Sequence, residues 1–212
     1  MWHKVNPVSF RIPYIKPWAA TWYWDKKQYK DSIVKDNKIR EILKKELSGI
    51  PVWDIIIGRK DDLINITIFT TKAALILWAS WENLIKIETT IANKLWNKVK
   101  ISVKEIKKPD LNAKIVAYTI VNQIEQRMPY KRAIKQAIQK SMEKWVKWIK
   151  VKVGWRLNWA EIARKETFKQ WNTPTQTIRA DIDYCSSRAE TVYWTIWVKV
   201  WIYKGDIFKT KK

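Results

Sequence analysis

The densest group of side chains with a definite chemistry is a set of cations in the segment YKRAIKQAIQKSME, residues 130–143. Lys131, Arg132 and Lys135 occupy positions i, i+1 and i+4, which a helix gathers on one face. The apolar residues of the segment recur every four positions, as those of a buried stripe do, and are Tyr130, Ile134, Ile138 and Met142. Ammonium and guanidinium groups presented together bind phosphate. The pattern therefore indicates a phosphate-binding helix face, with a merely solvated face as the alternative.

Basic side chains are in excess over the whole chain. Lys and Arg number 42 against 20 for Asp and Glu, which gives a net charge of +22. This excess is spread along the sequence, and it exceeds the magnitude of about 2–8 that keeps a small domain soluble. A polyanion is the expected partner. Nucleic acid fits best, and the alternative is an anionic membrane surface bound by Lys and Trp on an amphipathic helix.

The sequence contains few of the residue combinations that an enzyme active site needs. With one histidine, His3, and one cysteine, Cys185, the sequence offers neither a zinc cluster nor a Ser-His-Asp arrangement. No glycine-rich phosphate motif is present, even if every tryptophan is replaced by glycine. Asp181 and Asp183 alternate on one face of a strand and could imitate a metal pair, as in a nuclease. Salt bridges from these two aspartates to Arg179 or Arg188 are the preferred interpretation. We therefore expect no enzyme, no cofactor and no metal.

The chain also indicates a compartment. A single cysteine cannot form an internal disulfide, which fits a reducing environment. The opening residues, MWHKVNPVSF, contain no apolar run of the kind a signal peptide needs. No stretch approaches the ~20 apolar residues of a membrane span. We expect a cytoplasmic protein with no membrane partner.

The first half of the chain predicts an α-β-β-α-α-β order. Three prolines predict an extended arm over residues 1–17. Residues 25–47 predict a helix capped by Asp25, with an inward stripe of Tyr29, Ile33, Ile39, Leu43 and Leu47. Two β-rich runs joined by KDD predict a hairpin, two short helices flank the stretch WASW at 78–81, and residues 97–106 alternate as a strand.

The second half begins near Pro109 and predicts α-α-β-(α)-β-β-β. Helices are predicted over 111–127 and 130–144, separated by Met128-Pro129, and a strand over 149–153. Residues 160–170 predict a short helix. The final β-rich stretch predicts two or three antiparallel strands. The fold class is α+β, a first domain followed by a C-terminal α/β domain with two helices and an antiparallel sheet.

The order of the first half, with a four-residue junction between adjacent helices, resembles a type II KH domain. KH domains clamp single-stranded nucleic acid with a GxxG loop, because a Cβ would block the close approach of the phosphate backbone. Here Trp78, Ala79, Ser80 and Trp81 occupy the place of that loop.

Longer stretches resemble the family of small ribosomal subunit protein three. They are HKVNPVSFRI and PWAATWY at the start, then RMPYKRAIKQAIQ, RLNWAEIAR, TIRADIDY and VKVWIYKGD, and together they cover residues 1–206 in the family's order. The resemblance implies an N-terminal arm (1–17), a KH domain (18–108), a C-terminal α/β domain (109–206) and a basic tail (207–212). It also implies a structural component of the small-subunit head that binds ribosomal RNA and messenger RNA. The implied protein neighbours are small-subunit proteins ten and fourteen, with four and five at the tunnel where messenger enters.

The resemblance assigns the remaining candidate RNA contacts. Lys131, Arg132 and Lys135 match positions that line the messenger tunnel in the family. Arg127, Arg156, Arg164 and Arg179 match other basic positions, and WASW matches the RNA-clamping loop.

The chain departs from the family in one direction, since tryptophan stands at positions where the family has glycine. There are eleven such positions: Trp2, Trp78, Trp81, Trp96, Trp145, Trp148, Trp155, Trp159, Trp171, Trp194 and Trp197. The chain has 4 glycines and 16 tryptophans, whereas average usage predicts about 15 glycines. The hypothesis is that UGA codons that encode glycine were translated as tryptophan. The alternative is that the indoles are real and the RNA surface uses aromatic stacking.

Overall fold

The structure is a computed structural model that describes residues 4–12, 14–23, 25–47, 50–60, 63–71, 73–74, 81–95, 97–171 and 174–208, without the side chains of 81–83, 95 and 159. The chain divides into two compact units. The KH unit is Trp18–Lys107, and the C-terminal unit combines Met1–Pro17 with Lys108–Lys212.

The N-terminal segment is helical where the prolines predicted an extended arm. Helix α1 spans Pro7–Phe10, and the Val8 N–H donates to Asn6 Oδ1 at 2.9 Å. Proline suits the first position of a helix, because its fixed φ is helical and no N–H is needed there. The predicted extended conformation is therefore wrong over this turn.

In the described residues of the KH unit, a four-stranded sheet is accompanied by two helices with complete bounds. Strand β1 is Ala20–Thr21, helix α2 is Lys26–Glu46, β2 is Val52–Lys60, β3 is Leu63–Thr70, α3 is Trp81–Leu95 and β4 is Lys98–Glu105. The sheet order is β1-β2-β3-β4, with β2 and β3 antiparallel and the two outer pairs parallel. The predicted hairpin and the predicted last strand are confirmed. Of the helix predicted before WASW, residues 73–74 are helical, and residues 75–80 lie outside the described residues.

Helix α2 begins and ends where predicted, but its N-terminal half turns a different face inward. Asp25 holds the N-cap position without a side-chain cap bond. Tyr29 and Ile33, expected inside, are largely exposed, whereas Ser32 and Asp36 are buried. Two bonds explain this exchange. The indole Nε1–H of Trp22 donates to Asp36 Oδ2 at 2.8 Å, and the Arg59 guanidinium forms a salt bridge with Oδ1. A buried carboxylate is tolerated when it is paired and hydrogen-bonded, as Asp36 is here. Hydrophobic periodicity alone does not predict such a buried charge.

The C-terminal unit packs two helices on a four-stranded antiparallel sheet. A 3-10 turn, Pro109–Leu111, leads into α4 (Ala113–Glu125) and α5 (Tyr130–Glu143). Then follow β5 (Trp148–Trp155), a turn at Leu157–Trp159, β6 (Arg164–Gln170), β7 (Ala180–Glu190) and β8 (Thr195–Asp206). The sheet order is β6-β5-β8-β7, and every neighbouring pair is antiparallel. Both predicted helices and the predicted strand at 149–153 are confirmed.

The predicted short helix at 160–170 is wrong, since residues 164–170 form strand β6. It pairs with β5 from Trp155↔Arg164 to Ile149↔Gln170. A short isolated helix is only marginally stable, whereas this strand gains a full ladder and packs Phe168 against the core. That core lies between α4, α5 and one face of the sheet, and it includes Ile134, Ile149 and Val200.

Candidate nucleic-acid interface

Helix α5 separates its cations from its buried face. Tyr130 and Ile134 are buried, Ile138 and Met142 pack partly against the same core, and Lys131, Arg132 and Lys135 are exposed. The three cations line a shallow groove together with Gln136 and Gln139. Within the described part of the chain, none of the three forms a salt bridge with a carboxylate. The face is therefore free to bind an external anion.

Tyr130 fixes the start of this helix on the sheet. Its hydroxyl donates to Glu166 Oε1 on β6 at 3.0 Å. Burial, followed by the Glu166 carboxylate, raises the pKa of Tyr130 above its ordinary value, so the donor stays protonated. Lys131 Nζ lies 5.9 Å from the centroid of the Tyr130 ring, a distance typical of a cation–π contact.

The junction before α5 has the hydrogen-bond pattern of a Schellman motif. The Arg127 N–H donates to Ile124 O at 3.0 Å, and the Met128 N–H donates to Gln123 O at 2.9 Å. Arg127 has φ 64°, the left-handed conformation that this motif requires at the residue after the cap. The motif ends α4 at the exposed Arg127, and the next helix begins at Tyr130 with Pro129 as its N-cap.

Arg127 and Arg156 line one cleft of about 480 Å³. The Arg156 guanidinium carbon lies 5.5 Å from the Trp194 ring centroid, and the Trp194 Nε1–H donates to Arg156 O at 2.8 Å. Glu125 and Glu190 line the same cleft. The structure therefore brings two of the predicted RNA-binding arginines together, but beside two carboxylates that reduce the local positive potential.

Arg164 and Arg179 lie at opposite ends of the sheet. Arg164 begins β6 and pairs with Trp155 at the end of β5, near the cleft. Arg179 precedes β7 at the other end, where its Nε lies 3.3 Å from Asp206 Oδ2 and its guanidinium carbon lies 5.5 Å from the Phe208 ring. The predicted basic residues thus do not form one surface, and Arg179 already has an intramolecular partner.

The WASW stretch is the predicted clamp of the KH unit. Trp78, Ala79 and Ser80 lie outside the described residues, and α3 begins at Trp81. The RNA-binding role of these four residues remains a prediction.

The carboxylate of Asp183 contacts three other segments of the C-terminal unit. Lys16 Nζ lies 3.1 Å from Oδ1, Lys204 Nζ lies 3.9 Å from Oδ2, and the Ala113 N–H donates to Oδ2 at 3.0 Å. The last contact places a carboxylate at the N-terminus of α4, where negative charge is favourable. Asp183 therefore joins the N-terminal segment, α4 and β8 to β7.

The predicted salt bridges of this aspartate are wrong, because both arginines pair elsewhere. Arg179 contacts Asp206, and Arg188 Nε lies 3.6 Å from Glu190 Oε1. Lysines from two other elements occupy the place that sequence proximity assigned to arginines. Among the described side chains, no group of three or more His, Cys, Asp or Glu residues could hold a metal ion.

Sequence reasoning missed Arg11, which is 0% exposed. Its Nε–H donates to Ala180 O at 2.7 Å, Nη1 donates to Pro7 O at 3.0 Å, and Nη2 donates to Thr175 O and Thr177 O at 3.0 and 2.9 Å. The guanidinium thus binds the N-terminal segment to the start of β7 through backbone carbonyls. No sequence signal distinguishes this arginine from the many exposed cations.

Comparison with known proteins agrees with this architecture. Residues 120–202 match the family model described as "Ribosomal protein S3, C-terminal domain". The chain is similar to proteins called "Small ribosomal subunit protein uS3" from Hahella chejuensis and Acinetobacter baylyi, each 41% identical over 207 residues. The alignments cover 98% of this chain and 91% and 83% of those relatives.

These findings decide between the two expected classes of partner. They give no support to a membrane-surface protein, and no helix in the described part is long and apolar enough to cross a membrane. The matched family consists of structural, non-enzymatic proteins that bind RNA in the small ribosomal subunit during translation. With 41% identity over almost the whole of both chains, this protein belongs to the uS3 family of small ribosomal subunit proteins.

Proposed function

We propose that this protein is a structural constituent of the head of the small subunit in cytoplasmic ribosomes. It binds ribosomal RNA there and helps to form the tunnel by which messenger RNA enters. Its protein neighbours are small-subunit proteins ten and fourteen, with four and five at the tunnel. The observation that carries the messenger contact is the exposure of Lys131, Arg132 and Lys135 opposite the buried side of α5.

The chemistry of this face is electrostatic and needs no cofactor. Cations on a rigid helix bind the phosphates of the messenger without reading its sequence. The translocating ribosome supplies the work that separates a messenger hairpin, and the helix face holds the separated strands. Arg132 adds a planar guanidinium that can bind a phosphate through two N–H groups, whereas the lysines act as mobile point charges.

The other proposed RNA contacts belong to two domains. In the KH domain (18–108) they are Trp78, Ala79, Ser80 and Trp81. In the C-terminal domain (109–206) they are Arg127, Arg156, Arg164 and Arg179, while residues 1–17 serve as an arm and 207–212 as a basic tail. The shared cleft of Arg127 and Arg156 supports a joint role for these two residues.

The experiment replaces Lys131, Arg132 and Lys135 with Ala in ribosomes and compares translation of hairpin-containing and unstructured messengers. We expect selective slowing on the hairpin, with the stability of the isolated chain changed by less than ~0.5 kcal/mol for each substitution. A matched control replaces Lys27, Lys38 and Lys45, exposed residues of α2, and removes the same charge. Translation of both messengers at the normal rate by the first variant contradicts the proposal, and unfolding of that variant shows a structural role.

We also propose that the tryptophans at the eleven family glycine positions are glycines in the native protein, encoded by UGA. Support comes from the backbone. Trp145, Trp155 and Trp171 have φ values of 65°, 111° and 65°, in the region that glycine occupies without a steric penalty. These three are a majority of the non-glycine residues with positive φ in the described chain. Trp148 differs, since it is only 1% exposed and packs beside Trp201.

The codons test this second proposal directly. We expect UGA at the eleven positions and UGG at Trp18, Trp22 and Trp201, where the family tolerates tryptophan. Peptide mass spectrometry of the native protein identifies the residue itself. A UGG codon at Trp145 or Trp155, or tryptophan in the native peptide, refutes the assignment at that position.

A further inference from the structure

Helices α4 and α5 pack on only one face of the sheet of the C-terminal unit. On the opposite face, the end that carries Trp148, Ala180 and Ile182 is buried beside the N-terminal segment, and the remainder is the subject here. Side chains alternate along each strand, so residues on either side of an inward-facing position point outward. Val151 and Val153 of β5 and Val198 and Val200 of β8 belong to the core. Their neighbours therefore lie on the opposite face of the sheet.

The strand register arranges these neighbours in three rows across the sheet. The first row is Lys169, Lys150, Trp201 and Tyr184; the second is Thr167, Lys152, Lys199 and Ser186; the third is Lys165, Gly154, Trp197 and Arg188. No carboxylate occurs in the three rows. Glu190 lies beyond the third row and contacts Arg188. We call the five lysines of these rows the basic sheet face.

The lysines of this face are close enough to repel one another. Burial and then the neighbouring charges of Lys4, Lys152 and Lys169 lower the pKa of Lys150. Lys150 Nζ also lies 5.3 Å from the Trp201 ring centroid, which holds the ammonium over the indole. Within the described chain, none of the five lysines forms a salt bridge. A bound polyanion would relieve this repulsion.

We propose that the basic sheet face binds the phosphate backbone of a double-stranded segment of ribosomal RNA. This inference rests on the proposed ribosomal function and adds a second RNA surface to α5. Neighbouring strands are ~4.8 Å apart, and outward residues along one strand are ~7 Å apart, so the lysines reach several phosphates at once. Thr167 and Ser186 add exposed hydroxyl donors.

The composition of the face favours a duplex over a single strand. Binding of single strands depends on exposed aromatic rings on which bases stack. Trp201 is only 8% exposed and Tyr184 is half-buried, which leaves Trp197, 46% exposed, as the available ring. Trp197 is among the positions proposed to be glycine. RNA duplexes are bound mainly through phosphates and 2′-hydroxyls, which suits lysine.

The test measures binding of the full chain to an RNA duplex of about 20 base pairs, long enough for a duplex-binding surface, over a salt series. The variant replaces Lys152, Lys169 and Lys199 with Gln, and the matched control makes the same change at Lys27, Lys38 and Lys45 of α2. Because each lost phosphate contact removes about 0.9 from the logarithmic salt slope, we expect the slope to fall by roughly 2 to 3 in the sheet variant only. Thermal melting verifies that both variants fold.

Four results would overturn the inference. An equal loss in the α2 control would show a diffuse effect of net charge, and an unchanged slope in the sheet variant would show that the face does not bind. Preference for an oligouridine single strand, lost in Trp197→Gly, would show base stacking instead. Vesicles of phosphatidylglycerol serve as a further probe, and vesicle binding lost in the sheet variant while duplex binding persists would assign the face to lipid.

A reconstitution experiment distinguishes a failure of this inference from a failure of the proposed function. Small subunits are reconstituted with their ribosomal RNA and either the unaltered chain or the sheet variant. If the unaltered chain does not enter the particle, the proposed function fails. If both chains enter with equal affinity, only the role of the basic sheet face fails. We expect the sheet variant to enter at least about tenfold more weakly, as the loss of several phosphate contacts requires.

Discussion

Replacing Trp145 with Gly should stabilise the protein. Trp145 follows α5 in a Schellman motif, in which its N–H donates to Met142 O at 3.1 Å and the Val146 N–H donates to Ser141 O at 3.4 Å. The motif needs a left-handed residue at this position, and Trp145 provides it with φ 65°. The indole is 91% exposed, so it gains almost nothing from burial.

The expected magnitude follows from two opposing terms. A residue with a Cβ costs about 1–2 kcal/mol in the left-handed conformation. Glycine avoids that cost but gives the unfolded chain extra freedom, worth about 0.4–1 kcal/mol. The net expectation is stabilisation of roughly 0.5–1 kcal/mol, which raises Tm by about 1–4 °C in a chain of this size.

Trp148→Gly is the matched control, since it makes the same exchange at a buried site. Trp148 is 1% exposed and packs with Ile182 and Trp201. Removing a buried aromatic ring costs about 3–5 kcal/mol, so this variant should melt well below the unaltered chain. Both variants are compared by scanning calorimetry, with urea titration to check the change in free energy of unfolding. Destabilisation by Trp145→Gly, or equal effects of the two variants, would refute the reasoning from φ and burial.

Three further outcomes follow from buried polar groups. Arg11→Met should destabilise the C-terminal unit by about 3 kcal/mol, because several backbone carbonyls lose their donor in the interior, and Arg11→Lys should not restore stability; urea titration measures both. Asp36→Asn should destabilise the KH unit by about 3 kcal/mol by leaving the buried Arg59 charge unpaired, whereas Asp31→Asn on the exposed face of α2 should change it little. Burial raises the pKa of the Cys185 thiol, so alkylation of the folded protein should be slower than that of the urea-unfolded chain. Since the unfolded thiol ionises near pH ~8.5, stability should fall as the pH rises above that value, and Cys185→Ser should weaken this dependence.

Much of the fold is readable along the chain because its signals are local. The helices at 26–46, 113–125 and 130–143 follow apolar periodicity and Pro or Gly boundaries, and the KH hairpin follows two β-rich runs. The exposed cations of α5 follow from the same periodicity. The alternation of IKVKV also predicts that the lysines of β5 point to the face opposite the valines. Whether they belong to a larger basic surface depends on which strands lie beside β5.

The sequence does not show which distant segments of the chain pair with one another. Residues 164–170 become a strand only because β5 offers a free edge. Asp183 forms a salt bridge with Lys16, which lies near the other end of the chain. Arg11 donates a hydrogen bond to the backbone carbonyl of Thr177. A buried polar group without a hydrogen-bond partner raises the free energy of the folded state. The folded arrangement is therefore one in which the buried polar groups are paired.

The α+β class, the bounds of α2, α4 and α5, the excess positive charge and the cationic side of α5 can be predicted from the sequence, because each depends on neighbours within a few residues. The packing of distant segments, in contrast, places Arg127 and Arg156 in one cleft and Arg179 at the other end of the sheet. It also decided which tryptophans are strained and which are packed, as Trp145 and Trp148 are three residues apart yet have opposite environments. The physical reason is that backbone handedness and burial at a position are set by the chain segments that surround it in space.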